Sequence, residues 1–460
     1  MEDKKIQFIP KPINTRAFHA NPGESPGSFR PAVRSPAADK ITMSSDEILQ
    51  VYTPESILEA FKSKDPKRVE PLCHQITAIL QDHNSFHTKI IQNEEIINAI
   101  VDFVPCVNSP QFMTAFTMFI LSLIDHDDPV LIDAAILFPL RDMLNTYPQQ
   151  LLIFFREVPS VSVYARNAMV CTGILGDIIS YTAENNSIEG AYAIYSLFKC
   201  QETMENEDLE PFLPSIISLL SMSNEKALYY IIFAIINILR QNHDFVSMFY
   251  DLKIHDYIVK LLPIPNLTHI CIYLIGNVSI CEKVGINHLI RTGTVQKLLD
   301  ICQENKMASG PFWALSNCFE SAPSYVIPLI PVEFIKYTTT TFESANDKVT
   351  KNDCAFFLAT VLLYSPHEKL IPLVNQDVLS IIIQMIYSDK DSLVIRCIDS
   401  IGRMLFVGMT SNKMTFIVQM ICSSQELSQI LNKLTKSSNA SILNKSKTLI
   451  CEMEKVRNQI

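Results

Sequence analysis

Three aromatic-x-x-x-Asn units lie forty residues apart in this chain, Phe233 to Asn237, Tyr273 to Asn277 and Trp313 to Asn317. A fixed period near 40 is the signature of an all-helical solenoid. Ring and amide are spaced i, i+4, so they share one helix face. Stacking the repeats predicts a ladder of rings and amides along one continuous concave surface. An Asn side chain offers both a donor and an acceptor and can clamp the backbone of an extended peptide. Rings between the Asn rungs make slots for aliphatic stems, those of Lys and Arg included.

Composition supports long helices with marked corners. Only 11 of 460 residues are Gly, 25 are Pro, and 48% are apolar, enough for a continuous core. A net charge of −10 disfavours nucleic acid as a partner, because that needs a basic face, and suits a basic one. The twelve Cys are scattered singly and have apolar neighbours, which reads as free thiols in a reducing compartment. There is no signal-peptide pattern. The longest apolar stretch, Leu228 to Leu239, is too short to span a bilayer. The expectation is a cytosolic or nuclear protein without membrane insertion.

Residues 1–44 read as a disordered arm. Within the first 40, six Pro accompany seven basic and four acidic residues, and no apolar period appears. Helix begins at Ser44-Ser45-Asp46-Glu47, and 45–460 reads as one repeat domain. The unit is clearest from Ile254 to Glu320. Helices are expected at Asp256–Leu262, Thr268–Ser279, Val284–Arg291, Val295–Cys302 and Pro311–Phe319, with a turn at Thr292-Gly293. Short, medium and long helices with a glycine turn between the first two form the armadillo pattern. The fold class expected is all-α, a right-handed superhelical solenoid of about nine or ten armadillo repeats.

The long-helix aromatic can be traced outward. Tyr192, with Ser196 where Asn would stand, lies 41 residues before Phe233. Phe356, preceded by Asp353, lies 43 beyond Trp313, and Asp399 follows 43 later. Near the start, Phe116 and Ile120 have the shape of such a helix. Between Phe116 and Tyr192 lie 76 residues, fewer than two steps of 40, and the register is lost around Pro159 to Ile178.

These segments resemble importin alpha, the armadillo adaptor for nuclear localisation signals. Tyr273-Leu-Ile-Gly-Asn277 with Val284 to Gly293 is similar to a sixth repeat of that family, and Phe312-Trp313-Ala-Leu-Ser-Asn317 to a seventh. Lys351-Asn-Asp353-Cys-Ala-Phe356 is similar to an eighth, Val394 to Leu405 to a ninth, and Leu427 to Glu454 to the closing repeat. Thr53-Pro-Glu-Ser-Ile-Leu resembles the first. The resemblance implies an adaptor of cytoplasm and nucleus that binds the basic signals of cargo proteins and hands them to importin beta, with a nuclear export factor for recycling. It implies peptide contacts from Trp313, Asn317, Tyr273, Asn277, Phe233, Asn237, Phe356, Asp353, Tyr192 and Ser196. The family's basic helix would occupy the arm, where six prolines and no Arg-rich run stand instead.

Each of these residues also has a plainer reading. Trp313 and Asn317 can be core and cap, Phe233 and Tyr273 inter-repeat packing, and Asp353 a solvated surface acid. Asp125-His126-Asp127-Asp128 reads as a loop or as negative charge for a cargo lysine. His83 and His87 lack a metal-site pattern, so no metal or other cofactor is expected. No nucleotide loop or nucleophile elbow occurs, and an enzyme is not expected. Two functions stay open, a nuclear import adaptor and an armadillo scaffold for protein–protein interaction that has lost classical signal binding.

Overall fold

The structure is a computed structural model that describes residues 50–458, apart from 81–83, 125–128, 134, 201, 281–282, 305–309 and 411–414. The arm, the helix start at Ser44–Glu47, the Asp125–Asp128 run and His83 lie outside the described residues. Those described form α-helices and short 3-10 turns, with no strand among them. They divide into two units, one ending at Gln241 and the other beginning at Asn242.

In the N-terminal unit five long helices follow one another: α1 (Pro66–Leu80), α2 (Pro110–Leu123), α3 (Pro148–Val161), α4 (Ile188–Lys199) and α5 (Glu225–Gln241). Each packs against the next. The C-terminal unit repeats the scheme with α6 (Pro265–Val278), α7 (Pro311–Ser321), α8 (Lys348–Tyr364), α9 (Asp391–Thr410) and α10 (Ala440–Arg457). Shorter helices join them at the corners.

The helix starts follow from local chemistry. Pro110, Pro148, Pro265 and Pro311 open α2, α3, α6 and α7. The missing N–H costs nothing there, since the first turn has no intrahelical acceptor for it. Elsewhere a side chain caps the turn. Ser187 Oγ accepts from the Gly190 amide at 3.1 Å, and Asp347 Oδ1 from the Thr350 amide at 2.7 Å. Expected and observed boundaries from 254 to 320 differ by three residues at most.

The stretch where the period was illegible is ordinary helix. It holds the end of α3, then Val163–Cys171 and Ile174–Asn185. Pro159 lies inside α3, so a residue that reads as a breaker sits near a helix end that tolerates it. The long helices start at 110, 148 and 188, and the first step falls short of 40.

The turn between the first two helices of a repeat needs a left-handed residue. Gly293 at φ 77° supplies it between Lys283–Arg291 and Thr294–Gln303, and Gly173 at φ 80° supplies it before Ile174. Between Phe245–Asp251 and Ile254–Leu261 the same position is Lys253, at φ 59°. A Cβ is unfavourable in that region.

The first repeats are held by phenylalanines. Phe61 and Phe103 meet edge to face at 5.5 Å, and Phe103 meets Phe112 at 5.9 Å. Phe116 and Ile120 are fully enclosed in this core. They are packing residues of α2, whatever place in a groove their sequence position suggests.

Candidate functional site

In the C-terminal unit the rung begins with Tyr273 on α6 and Trp313 on α7, whose ring centroids stand 5.7 Å apart. Trp313 is 6% exposed and its six-membered edge lies on Gly276. A Cβ at Gly276 would stand 2.1 Å from Trp313 Cζ3, so the indole can pack there only over a glycine.

The amides of this rung serve the helices themselves. Asn317 Nδ2 donates to the Gly276 carbonyl at 2.9 Å, and Asn277 Nδ2 donates to the Tyr273 carbonyl at 2.7 Å. The Asn317 Oδ1 is buried and accepts no hydrogen bond. Asp353, at the start of α8, accepts from the Gly310 amide at 3.2 Å and so fixes the entry to α7. Asn277, Asn317 and Asp353 are 3%, 1% and 4% exposed. An open ladder was expected of these three. Instead, Asn317 and Asp353 bond backbone of the neighbouring repeat, and Asn277 bonds the carbonyl one turn back on its own helix. Tyr273 stays half-buried, and burial first, then Asp353, pushes its phenol above the usual range.

Phe356 on α8 carries a cation from its own chain. The Arg396 guanidinium, from α9, lies 4.7 Å from the Phe356 ring centroid and 5.4 Å from that of Tyr364. Its Nη2 pairs with Glu320 Oε2 of α7 at 2.9 Å, and the Tyr364 hydroxyl donates to the other Glu320 oxygen at 2.7 Å. One arginine thus ties three consecutive long helices. Asp399, the last residue of the sequence trace, pairs with Lys445 of α10 at 2.6 Å.

The N-terminal unit repeats the motif with other residues. Arg156 of α3 lies 4.9 Å from the Tyr192 ring centroid. Tyr192 stacks on Tyr230 of α5 at 4.6 Å and 4°. Phe233 is walled in by Tyr229 at 5.0 Å and Tyr195 at 5.7 Å. Burial chiefly pushes the phenols of Tyr195 and Tyr229 up to about 12. Ser196 and Asn237 are half-buried on α4 and α5.

Sequence reasoning missed Tyr195, Tyr229 and Tyr230, and also the two arginines and Glu320. A signal for the tyrosines was present. Tyr229 and Tyr230 precede Phe233 by four and three residues, and Tyr195 follows Tyr192 by three, the spacings of one helix face. Nothing local marks Arg396, whose partners come from other repeats, and Arg156 pairs locally only with Glu157, its ring coming from the next repeat. The tyrosine face offers half-exposed flat rings bearing hydroxyl groups, the kind of surface enriched where proteins meet.

The architecture is similar to that of an engineered protein over 87% of this chain and 98% of that one, with a TM-score of 0.66 at 13% identity. It is also similar to a structure reported with a conserved phosphorylation switch controlling the interaction between cadherin and beta-catenin. There the TM-score is 0.59 at 11% identity, over 89% of this chain and 88% of the other. The fold is the armadillo fold. A designed armadillo repeat protein matches over 52% of this chain and 99% of its own, with a TM-score of 0.44 at 14% identity. No family model matches the sequence, and no curated protein matches it. Among the described residues no helix is long and apolar enough to cross a membrane.

Proposed function

We propose that this protein is an armadillo scaffold that binds other proteins, with a ring-bearing patch in each unit that takes its cation from its own chain. One observation carries the reading: Arg156 on Tyr192 and Arg396 on Phe356 fill the positions that a partner's basic stems would take. The beta-catenin structure concerns a solenoid of this fold and its interaction with cadherin, which supports a protein partner here. The tyrosines on α4 and α5 are the partner-facing residues of this reading.

A narrower reading is the nuclear import adaptor, with basic-signal cargo, importin beta, an export factor and passage between cytoplasm and nucleus. The half-buried Tyr273 beside Trp313, near the Asp353 carboxylate, favours it, as does the net charge of −10. Calorimetry of the full chain with a labelled basic signal peptide, with and without importin beta, separates the two. Scaffolding predicts no measurable binding by the wild-type chain. Tight binding that Tyr273→Ala weakens would replace it with the adaptor.

A further inference from the structure

Two imidazoles meet at a junction between repeats of the C-terminal unit. His255 lies on Ile254–Leu261, in the repeat whose long helix is α6. His288 lies on Lys283–Arg291, in the repeat whose long helix is α7. Their ring centroids are 4.4 Å apart with 30° between the planes. Tyr250, from Phe245–Asp251, covers both, at 5.9 Å from His255 and 6.2 Å from His288. His255 is 7% exposed, and its Nδ1 is buried with no hydrogen-bond partner.

This arrangement suits neutral rings and opposes charged ones. A proton added to His255 Nδ1 creates a buried donor with no acceptor. A second proton, on His288, sets two like charges face to face. The groups acting on His255 are Asp256, whose Oδ1 is 3.7 Å from Nε2, together with His288 and Lys253. Asp256 is half-exposed and favours the charged ring; burial, His288 and Lys253 oppose it, and the net direction is downward from the usual imidazole value.

We propose that the Tyr250–His255–His288 stack is an acid-sensitive joint between the two repeats that carry Tyr273 and Trp313. Above the imidazole range the stack holds Lys283–Arg291 against the preceding repeat. Below it, His255 binds a proton more readily when the helices separate, so acid opens the junction. Opening loosens α7 against α6, where Trp313 lies on Gly276.

The test uses the full chain and its single tryptophan, Trp313. Amide exchange of Lys283–Arg291, corrected for the intrinsic pH effect, is followed from about pH 7.5 to about pH 5.5. Opening should rise by up to about tenfold, because a free imidazole of about 6.5 lies about one pH unit above the lower end of the range while the His255 ring is held below it. Acrylamide quenching of Trp313 should rise in step. His288→Phe keeps a ring on the stack and removes the facing imidazole that opposes a charge on His255, so the acid response should shrink. His255→Phe should abolish the local response, leaving only the smaller rise that unfolding of the whole unit gives. A wild-type chain whose corrected opening is flat over this range overturns the proposal. So does a His255→Phe variant that opens as the wild type does. If either Phe variant does not fold, Gln at the same position tests the same loss of titration.

Discussion

Glu320 and Arg396, 76 residues apart in the chain, form a nearly buried ion pair at 2.9 Å across the ring-bearing face of α8. The side chains are 14% and 11% exposed, so the pair is screened little by solvent. Its geometry is good, with two rings beneath the guanidinium and a phenol on the second carboxylate oxygen.

Breaking that pair on one side should be costly. Arg396→Ala leaves Glu320 partly buried with only the Tyr364 hydroxyl, and about 3 kcal/mol should be lost from the C-terminal unit. Exchange of α7, α8 and α9 amides in urea reads the loss locally. A change below about 0.5 kcal/mol would mean that the pair is solvated like an ordinary surface bridge.

Gly276 should not tolerate a side chain. Gly276→Ala drives a methyl into Trp313, and rigid packing on both sides predicts about 1–3 kcal/mol of destabilisation. Trp313 emission should move to the red as the ring is displaced. Unchanged emission and stability would show that α6 and α7 can separate freely.

Asn317→Ala loses the Nδ2 bond to Gly276 but also removes the buried, unpartnered Oδ1. The two effects oppose, so the cost should be small, about 1 kcal/mol. Thermal unfolding of the variant measures it. A cost several times larger would point to a role for Oδ1 beyond packing.

Lys253 occupies the left-handed turn that Gly293 fills in the next repeat. Lys253→Gly should stabilise the C-terminal unit by about 0.5–1 kcal/mol, the relief at φ 59° exceeding the gain in unfolded-chain freedom. Denaturant unfolding should show a higher midpoint with an unchanged slope; a lower midpoint would refute it.

The C-terminal unit should also lose stability in acid. Burial lowers the imidazoles of His243, His255 and His269 below their usual value. A depressed imidazole contributes stability that is full above the unfolded value of about 6.5 and is lost as pH falls through the folded one. Midpoints measured at about pH 7.5 should exceed those at about pH 5.5, and replacing all three by Gln should narrow the difference.

The sequence alone determined the helices and the repeat. Prolines at helix starts, a glycine at the corner and a ring with an amide one turn apart are local signals. The backbone obeys them because each repeat meets the same neighbours. Tertiary structure decided what the amides and rings do. Asn317 bonds the Gly276 carbonyl because α6 and α7 pack closely there, and Asn277 bonds the Tyr273 carbonyl one turn back on its own helix. Arg156 and Arg396 lie on Tyr192 and Phe356 because stacking brings a neighbouring helix over each ring. A period fixes which face a residue occupies. Which atoms meet it there depends on the spacing and tilt of the next helix, set by side-chain volumes on both sides.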